Sequence, residues 1–366
     1  MGNSVHKKPV VLIYRIGQLG DTLIAMPAIK EIRFQYPNHS LVLLTDQHLG
    51  NGIYVSSWDI LGPTGWFDNV IFYDPKLTGW RRLKMLGKLI REVQNLNVMH
   101  LFNLAPSRSK SASLRDKWFF HFVASPLSYY ACPPYSPPNP VNGTLPSVNP
   151  EWRNLLNVNF NAYNAVTEHF TLPVPEQDRR IAHNLAQAEG VDFSSRLVAI
   201  GPGSKMSAKK WPETNFAELG TRLLNEFPDV HLIVFGGKED ATLGANLCTR
   251  WGVRSTNIAG KCSVYGSAAL LERCAAYVGN DTGTMHLAAM VGVPCVGIFS
   301  ARDYPGKWDP YGRQHIVLRH IVACEGCMLE VCPYNNECIK KITIDDAFKG
   351  AKEILKTSSI KAAPRS

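Results

Sequence analysis

Short apolar runs that end in glycine or small polar residues recur along the chain, and this pattern constrains the fold most. The first half contains four such runs, separated by amphipathic stretches: Val10–Tyr14, Leu41–Thr45, Val70–Tyr73 and Val98–Asn103. The second half repeats the pattern with five: Leu197–Ile200, Val230–Phe235, Ala276–Gly279, Pro294–Phe299 and His315–Leu318. Strands that alternate with helices are typical of parallel sheets, so we predict an α/β chain with two doubly wound units.

The length of 366 residues also favours two domains, because one hydrophobic core rarely serves more than about 300 residues. The proline-containing segment Leu172–Pro175 is typical of a linker, which predicts domains at 1–175 and 176–366. A second unusual segment, Trp118–Pro150, has no Asp, Glu, Lys or Arg and holds eight prolines. Proline at this density argues against a helix or a central strand there. Structural packing is the preferred interpretation, and a surface near an acceptor or membrane is the functional alternative.

The formal charge of +9 predicts an anionic partner but does not choose among nucleotides, nucleic acids and phosphorylated lipids. Many of the basic residues cluster: Lys76, Arg81, Arg82, Lys84, Lys88, Arg91, Arg108, Lys110, Arg115 and Lys117. The cluster is either a solvated helix face or an anion-binding patch. The apolar run near the amino terminus is too short for a signal peptide, which predicts a cytoplasmic protein with its nine cysteines as thiols or metal ligands.

A glycine loop follows the first predicted strand. It contains Gly17, Gly20 and Asp21, and a helix is expected to open at Thr22. Glycines allow a tight turn and close approach to a ligand, whereas the loop does not match the dinucleotide fingerprint. An acid at a helix start is either a cap or a base that faces a cleft.

Two loops in the second half have the composition of a diphosphate site. The first follows Leu197–Ile200 and contains Ser204 and Lys209. The second follows Ala276–Gly279 and contains Asp281–Thr284, with His286 in the first turn of the helix that begins there. The amides at such a helix start attract anions, so we expect both loops to contact a ligand phosphate.

Five motifs in order resemble those of glycosyltransferase family 9, the ADP-heptose:lipopolysaccharide heptosyltransferases and their relatives. They are Arg15–Asp21, Pro202–Ser204, Lys209–Pro212, Gly236–Asp240 and Gly279–Ala288. The resemblance runs from about residue 10 to residue 345. It implies the GT-B architecture, with two facing Rossmann-like domains, the acceptor held by 1–175 and the nucleotide sugar by 176–366. The final helix is expected to pack back toward the first domain.

The resemblance also implies roles for individual residues. Asp21 resembles the catalytic base, and Gly17, Gly20 and Arg108 fall on the acceptor side. The expected donor-binding residues are Ser204, Lys209, Glu239, Asp281, Thr282, Gly283, Thr284 and His286. The implied reaction is inverting transfer of a sugar, heptose from ADP-heptose, onto a lipopolysaccharide core or related cell-envelope glycan.

The implied partners are the nucleotide sugar and an anionic glycolipid, with peripheral contact at the inner face of the cytoplasmic membrane and no nucleic acid. No Asp-x-Asp motif is present, so no metal or other cofactor is expected to be obligatory. A nucleotide-sugar epimerase or hydrolase of the same plan is the alternative within enzymes, and a non-catalytic nucleotide-binding protein is the alternative outside them. An acceptor-dependent reaction would separate these.

Four cysteines near the end have compact spacing: Cys324, Cys327, Cys332 and Cys338. The spacing would allow them to ligate one tetrahedral zinc ion. Packed or reducible thiols are the preferred interpretation, and zinc is the alternative.

Overall fold

The computed structural model describes residues 8–47, 55–106, 109–134, 136–158 and 170–357, and these residues form two α/β units. Unit 1 comprises Met1–Pro137 and Glu151–Glu168, and unit 2 comprises Pro138–Pro150 and His169–Ser366. Every strand pair in both sheets is parallel. The α/β fold class with two parallel sheets, predicted from the apolar runs, is confirmed.

Unit 1 has a five-stranded sheet in the order β3-β2-β1-β4-β5. Its strands are β1 (Val10–Tyr14), β2 (Ser40–Asp46), β3 (Asn69–Tyr73), β4 (Val98–Asn103) and β5 (Ser128–Ala131). Its described helices are α1 (Leu19–Gln35), α2 (Ser57–Leu61), α3 (Gly79–Gln94), α4 (Lys110–Ala124) and α5 (Glu151–Leu156). All five residues of β1 are buried, as a central strand requires.

Helices α3 and α4 cover one face of this sheet. Leu89 from α3 and Phe120 from α4 join the core cluster that contains Leu12 of β1. The connections through α3 and α4 run toward the β5 edge, whereas the connection through α1 runs toward the β3 edge. Because parallel crossovers are right-handed, α1 lies on the opposite face. There it contacts α2 and α5.

Unit 2 has a six-stranded sheet in the order β11-β10-β9-β6-β7-β8. Its strands are β6 (Arg196–Gly201), β7 (Val230–Val234), β8 (Ser255–Asn257), β9 (Cys274–Asn280), β10 (Cys295–Phe299) and β11 (Ile316–Arg319). Its described helices are α6 (Glu176–Ala188), α7 (Glu213–Glu226), α8 (Ala241–Trp251), α9 (Val264–Leu271), α10 (Gly283–Met290), α11 (Glu337–Lys340) and α12 (Ile344–Thr357). A core cluster around Trp211, Phe216 and Leu232 packs α7 and α12 onto the sheet.

Two local expectations are wrong. Trp118–Pro150 was expected to lack helix, but α4 continues to Ala124 because all eight prolines of the segment come after that residue. The same segment also supplies β5, which lies at the edge of the sheet. The first helix begins at Leu19 rather than at Thr22, so Asp21 lies inside its first turn.

The domain boundary at residue 175, and the roles assigned to 1–175 and 176–366, stay predictions. Unit 2 includes the short segment Pro138–Pro150, and its main part starts at His169 rather than at residue 176. The described part of α12 packs on α7, β9 and β10 within unit 2. The expected packing of the final helix toward the first domain also stays a prediction.

Candidate functional site

Each sheet has a point where the strand order reverses, and the polar loops lie there. In unit 1 the reversal is between β1 and β4, and in unit 2 it is between β6 and β9. At such a point the loops after the two neighbouring strands separate, which leaves a crevice at the carboxyl edge of the sheet.

In unit 1, Asp21 is held at the third position of α1. Its Oδ2 accepts a hydrogen bond from the backbone N–H of Gln18 at 3.1 Å, as a capping carboxylate does. Gly17 has a φ of 119°, and a Cβ there would lie 2.8 Å from the Cβ of Asp21. Only glycine fits this turn, because a side chain would displace the carboxylate. Asp21 remains partly exposed at the carboxyl edge.

Arg15, at the end of β1, is completely buried behind this loop. Its Nη1 donates to the backbone oxygen of Leu104, whereas Nε and Nη2 have no hydrogen-bond partner among the described residues. Burial lowers the pKa of Arg15, and the negative charges of Asp21 and Glu151 are the strongest influences that oppose this effect. A buried guanidinium therefore lies in the electrostatic range of the carboxylate predicted to act as the base.

A cavity of about 380 Å³ opens beside the same crevice, between the ends of β4 and β5 and helix α4. Its lining includes Asn103, Ala105 and Tyr129 from the sheet side, with Lys110 and Lys117 from α4. Asn103 donates from Nδ2 to the Tyr129 hydroxyl at 3.0 Å. The cavity thus combines an apolar and aromatic wall with two ammonium groups. Sequence reasoning missed it, because its residues come from three elements without a shared motif.

In unit 2, Lys209 joins the predicted loops through ion pairs. Its Nζ donates to Oδ2 of Asp281 at 2.6 Å and lies 3.4 Å from Oδ2 of Asp303. Arg302 donates from Nη1 to the same Asp303 oxygen at 2.6 Å. All four side chains are nearly buried, which makes the charges interact strongly. Two cations face two carboxylates, so the cluster is close to neutral.

The ion pairs shift the pKa values of Lys209 and Asp303. Burial alone would lower the pKa of Lys209, but Asp281 and Asp303 outweigh burial and raise it. Burial would raise the pKa of Asp303, but Lys209 and Arg302 outweigh it and lower that pKa. Trp308 adds a hydrogen bond from Nε1 to Oδ1 of Asp303 at 3.2 Å. Lys209 and Asp303 are therefore held in their charged forms at neutral pH.

Asn280 fixes the distance between the two loops of this site. Its Nδ2 donates to the backbone oxygen of Pro202 at 2.7 Å, and its Oδ1 accepts from the backbone N–H of Trp211 at 3.1 Å. The loop after β6 is thereby tied to the end of β9. Ser204 lies in this loop, and its Oγ accepts from the backbone N–H of Met206 at 3.2 Å.

Helix α10 begins beside the ion pairs. Thr282 is its N-cap, and Gly283 and Thr284 form the start of its first turn, whose amides have no partner within a helix. His286 is buried, with its Nε2 3.8 Å from Oδ1 of Asp281. The helix start thus presents amide donors next to the ion-paired ammonium of Lys209 and the imidazole of His286. This combination suits an anionic ligand.

Glu239 lies apart from this cluster, in the turn after β7. It is exposed, whereas the neighbouring Asp240 is buried and accepts from the backbone N–H of Gly237 at 3.0 Å. A Cβ on Gly203 would lie 2.2 Å from Asp240, so the Ser204 loop and this turn pack closely. Burial raises the pKa of Asp240.

The structure therefore brings Lys209, Asp281 and His286 together and places the start of α10 beside them. Arg108 lies outside the described residues, and Gly20 lies in the first turn of α1. Sequence reasoning missed Arg302 and Asp303. Their signal was present in the sequence, because they follow β10 at the same carboxyl edge.

The four clustered cysteines are free thiols. Cys338 is buried, and Cys324, Cys327 and Cys332 are partly exposed. Burial raises the pKa of Cys324, and the three other thiols also contribute to that rise. Within the described ranges, no group of three or more His, Cys, Asp or Glu side chains is arranged to hold a metal ion. Zinc stays a prediction that this geometry does not support.

Two Rossmann-like sheets with polar loops at their reversal points define the doubly wound class of α/β protein, and comparisons with known proteins show the family. The sequence profile of glycosyltransferase family 9 (heptosyltransferase) matches residues 141–337. The chain belongs to this family.

Individual proteins similar to this chain are also heptosyltransferases or glycosyltransferases of family 9. Lipooligosaccharide heptosyltransferase 2 of Campylobacter jejuni is 26% identical over 172 residues, which cover 45% of this chain and 53% of the relative. The chain thus matches about half the length of this curated relative. The family 9 glycosyltransferase of Veillonella parvula has a TM-score of 0.72 at 18% identity, covering 98% of this chain and all of that one. The heptosyltransferase WaaC of E. coli, solved with ADP, has a TM-score of 0.61 at 15% identity, covering 94% and 99%.

These similarities show that the fold is GT-B. None of the described helices is both long and apolar enough to cross a membrane.

Proposed function

We propose that this protein is an inverting glycosyltransferase that moves heptose from ADP-heptose to the core of a lipopolysaccharide or a related cell-envelope glycan. The observation that carries the proposal is the buried Lys209–Asp281 pair, which lies at the reversal point of unit 2 beside the start of α10. Family membership and the names of the relatives support the donor and acceptor classes. The proposal keeps the cytoplasmic location predicted from the sequence.

The donor diphosphate would bind at the start of α10. The amides of Thr282, Gly283 and Thr284 would donate to its oxygens, and the exposed Lys210 lies just after the Lys209 turn. Because Asp281 and Asp303 already balance Lys209 and Arg302, the positive potential must come mainly from these amides and exposed lysines. Lys209 would contact the phosphates while its ion pairs hold it in one orientation. Ser204, Glu239 and His286 complete the proposed donor side.

Asp21 would act as the base for the acceptor. Its Oδ2 accepts from the Gln18 amide, so the carboxylate has a fixed orientation before substrate binds. The acceptor hydroxyl oxygen would form a bond to the anomeric carbon of heptose, and the bond from that carbon to the diphosphate oxygen would break. Asp21 would take the hydroxyl proton, and ADP would leave with the bonding electrons. Attack opposite the leaving group inverts the anomeric configuration.

A donor panel tests the proposal directly. Purified protein would be incubated with a truncated lipopolysaccharide acceptor and, in separate reactions, ADP-heptose, ADP-glucose or UDP-N-acetylglucosamine. We expect acceptor plus one heptose by mass spectrometry only with ADP-heptose, and an inverted anomeric configuration by NMR. Release of free heptose without acceptor product would indicate a hydrolase, and an altered donor sugar would indicate an epimerase. Either result, or no product with any donor, would overturn the proposal.

A further inference from the structure

Helices α3 and α4 of unit 1 expose large apolar side chains to solvent. On α4 these are Leu114, Trp118 and Phe122, and on α3 they are Trp80 and Leu83. Trp118 is 67% exposed and Phe122 is 78% exposed, although tryptophan and phenylalanine are normally covered in folded proteins. We call these five residues, with the basic residues around them, the α3–α4 surface.

The exposed apolar residues form continuous stripes. Leu114, Trp118 and Phe122 are spaced four residues apart, which places them on one side of α4. The opposite side of α4 carries Phe120 and Val123 into the core. Helix α4 therefore has two apolar sides, and the core of unit 1 accounts for only one of them.

Basic side chains surround these stripes. Helix α3 contains five basic residues: Arg81, Arg82, Lys84, Lys88 and Arg91. Glu92 is the single acid of this helix. Lys110 and Lys117 add two more on α4. Across the part of the chain that the structure describes, only Lys88 among these seven has an ion pair, with Glu92 at 3.6 Å. The excess of positive charge is thus not neutralised by ion pairs among the described residues.

Both helices lie on the same face of the sheet and contact each other, so their exposed sides belong to one surface. This surface continues into the 380 Å³ cavity, because Lys110, Leu114 and Lys117 line it. A ligand held at the surface would therefore reach the carboxyl edge of unit 1 without crossing the protein. Asp21 lies at that same edge.

We propose that the α3–α4 surface docks on an anionic lipid bilayer. Aromatic side chains are favoured at the headgroup level, and Lys and Arg beside them attract anionic headgroups. The proposal rests on the proposed function and deepens it, since docking would deliver a membrane-anchored acceptor to the cavity. A second copy of the chain fits this surface less well, because a symmetric contact would bring like charges together.

Sedimentation with sucrose-loaded vesicles tests the proposal without donor or turnover. We expect the protein to bind vesicles that contain phosphatidylglycerol and to bind pure phosphatidylcholine weakly. Phe122→Ser should lower the affinity by on the order of tenfold, the lower end of what a buried phenylalanine contributes. Phe34→Ser is the matched control, because Phe34 on α1 is 79% exposed and lies on the opposite face of the same sheet.

Charge reversal gives an independent comparison. The double variant Lys84→Glu with Arg91→Glu should weaken vesicle binding by at least ~25-fold. Each basic residue near an anionic surface contributes about fivefold to the affinity, and the two contributions multiply. Lys349→Glu with Lys356→Glu changes the net charge equally on the exposed side of α12 and should have little effect. Transfer to a water-soluble acceptor should stay normal in all these variants.

The possible outcomes separate the docking proposal from the proposed transferase function. Equal binding by Phe122→Ser and Phe34→Ser, together with equal binding by the two charge variants, would overturn docking through this surface. A dimer in sedimentation velocity that Phe122→Ser converts to a monomer, without vesicle binding by the wild type, would assign the surface to a second copy and also overturn it. Vesicle binding as expected with no transferase activity would contradict only the proposed function.

Discussion

The two reversal-point sites of this chain are built in opposite ways. In unit 2, Lys209 and Arg302 pair with Asp281 and Asp303, and all four side chains are nearly buried. In unit 1, the buried cation Arg15 donates a hydrogen bond to the backbone oxygen of Leu104, and Asp21 is partly exposed. Ion pairs thus fix the geometry of the unit 2 site, whereas a tight turn and a helix cap position the carboxylate of unit 1.

This difference matches what the family profile covers. The matched residues 141–337 contain the whole Lys209–Asp281 site but neither Asp21 nor the cavity of unit 1. A site for a shared ligand is expected to keep its ion pairs, and a site for a variable acceptor is expected to differ between relatives. We infer that unit 2 is specialised for the donor and that unit 1 determines the acceptor.

The largest expected effect is on turnover in unit 1. Asp21→Asn keeps the size of the side chain and much of its capping ability but removes its basicity. Turnover should fall by ~10²–10⁴, the usual contribution of a positioned general base. The melting temperature should stay close to that of the wild type, as circular dichroism would show. Near-normal turnover with a lower melting temperature would instead show that Asp21 is only a cap.

The next effect is on folding in unit 2. Lys209→Met leaves the buried carboxylates of Asp281 and Asp303 without their shared ammonium, which should lower the free energy of unfolding by ~3–5 kcal/mol. Lys210→Met is the matched control, because the neighbouring lysine is exposed, and it should change stability by less than ~0.5 kcal/mol. Urea denaturation of both variants measures this. Equal stability of the two variants would contradict the proposed importance of the ion pairs.

A smaller effect is expected from the turn that positions Asp21. Gly17→Ala should cost ~1–3 kcal/mol in backbone strain and should also reduce turnover by displacing the carboxylate. Gly65→Ala controls for strain alone, because Gly65 also has a positive φ, of 68°, but a Cβ there would meet nothing within 4 Å. Thermal denaturation and kinetics should show a loss of stability in both variants and a loss of turnover only in Gly17→Ala. Normal turnover in Gly17→Ala would separate the turn from catalysis.

The last effect is a pH dependence of stability in unit 2. Burial lowers the pKa of His315 from 6.5 to about 4, and its Nδ1 accepts from the backbone N–H of Cys295 at 3.1 Å. The unfolded chain therefore binds this proton at a higher pH than the folded chain does. The stabilisation from a neutral His315 is present above pH 6.5 and is lost as the pH falls toward 4, by at most ~1.4 kcal/mol per pH unit.

His315→Gln should therefore lose less stability than the wild type between pH 6.5 and pH 4.5, as measured by urea denaturation at each pH. His320→Gln is the control, because His320 is exposed in the same region. A parallel decline of all three proteins would show that other groups carry the acid sensitivity.

The sequence predicted the central strands but missed one edge strand of each sheet. β1 and β4 have the bounds predicted from their apolar runs, because both are central strands with mostly buried side chains. β5 and β8 were missed. β5 is only partly buried, and β8 has three residues, so neither produces a clear periodic pattern. Proline density also misled the interpretation of Trp118–Pro150, because it was averaged over a range that includes the end of α4.

The candidate site shows the same limit. The motifs predicted Lys209, Asp281 and His286 as site residues, since each follows a strand and carries a recognisable spacing. They did not identify Asp303 as a partner of Lys209, because the two residues belong to different loops and meet only through the strand order of the sheet. The burial of Arg15 was equally hidden. An arginine at the end of a strand is expected to be a surface cation until the packing around it is known.

The central claim is that unit 2 binds the donor and unit 1 supplies the base, and calorimetric titration with ADP-heptose tests it most directly. Asp21→Asn should bind the donor within about twofold of the wild type. His286→Ala should bind it ~10- to 150-fold more weakly, which corresponds to a lost contact with a charged group worth ~1.5–3 kcal/mol. Weakened binding in Asp21→Asn together with unchanged binding in His286→Ala would contradict the claim and place the donor in unit 1.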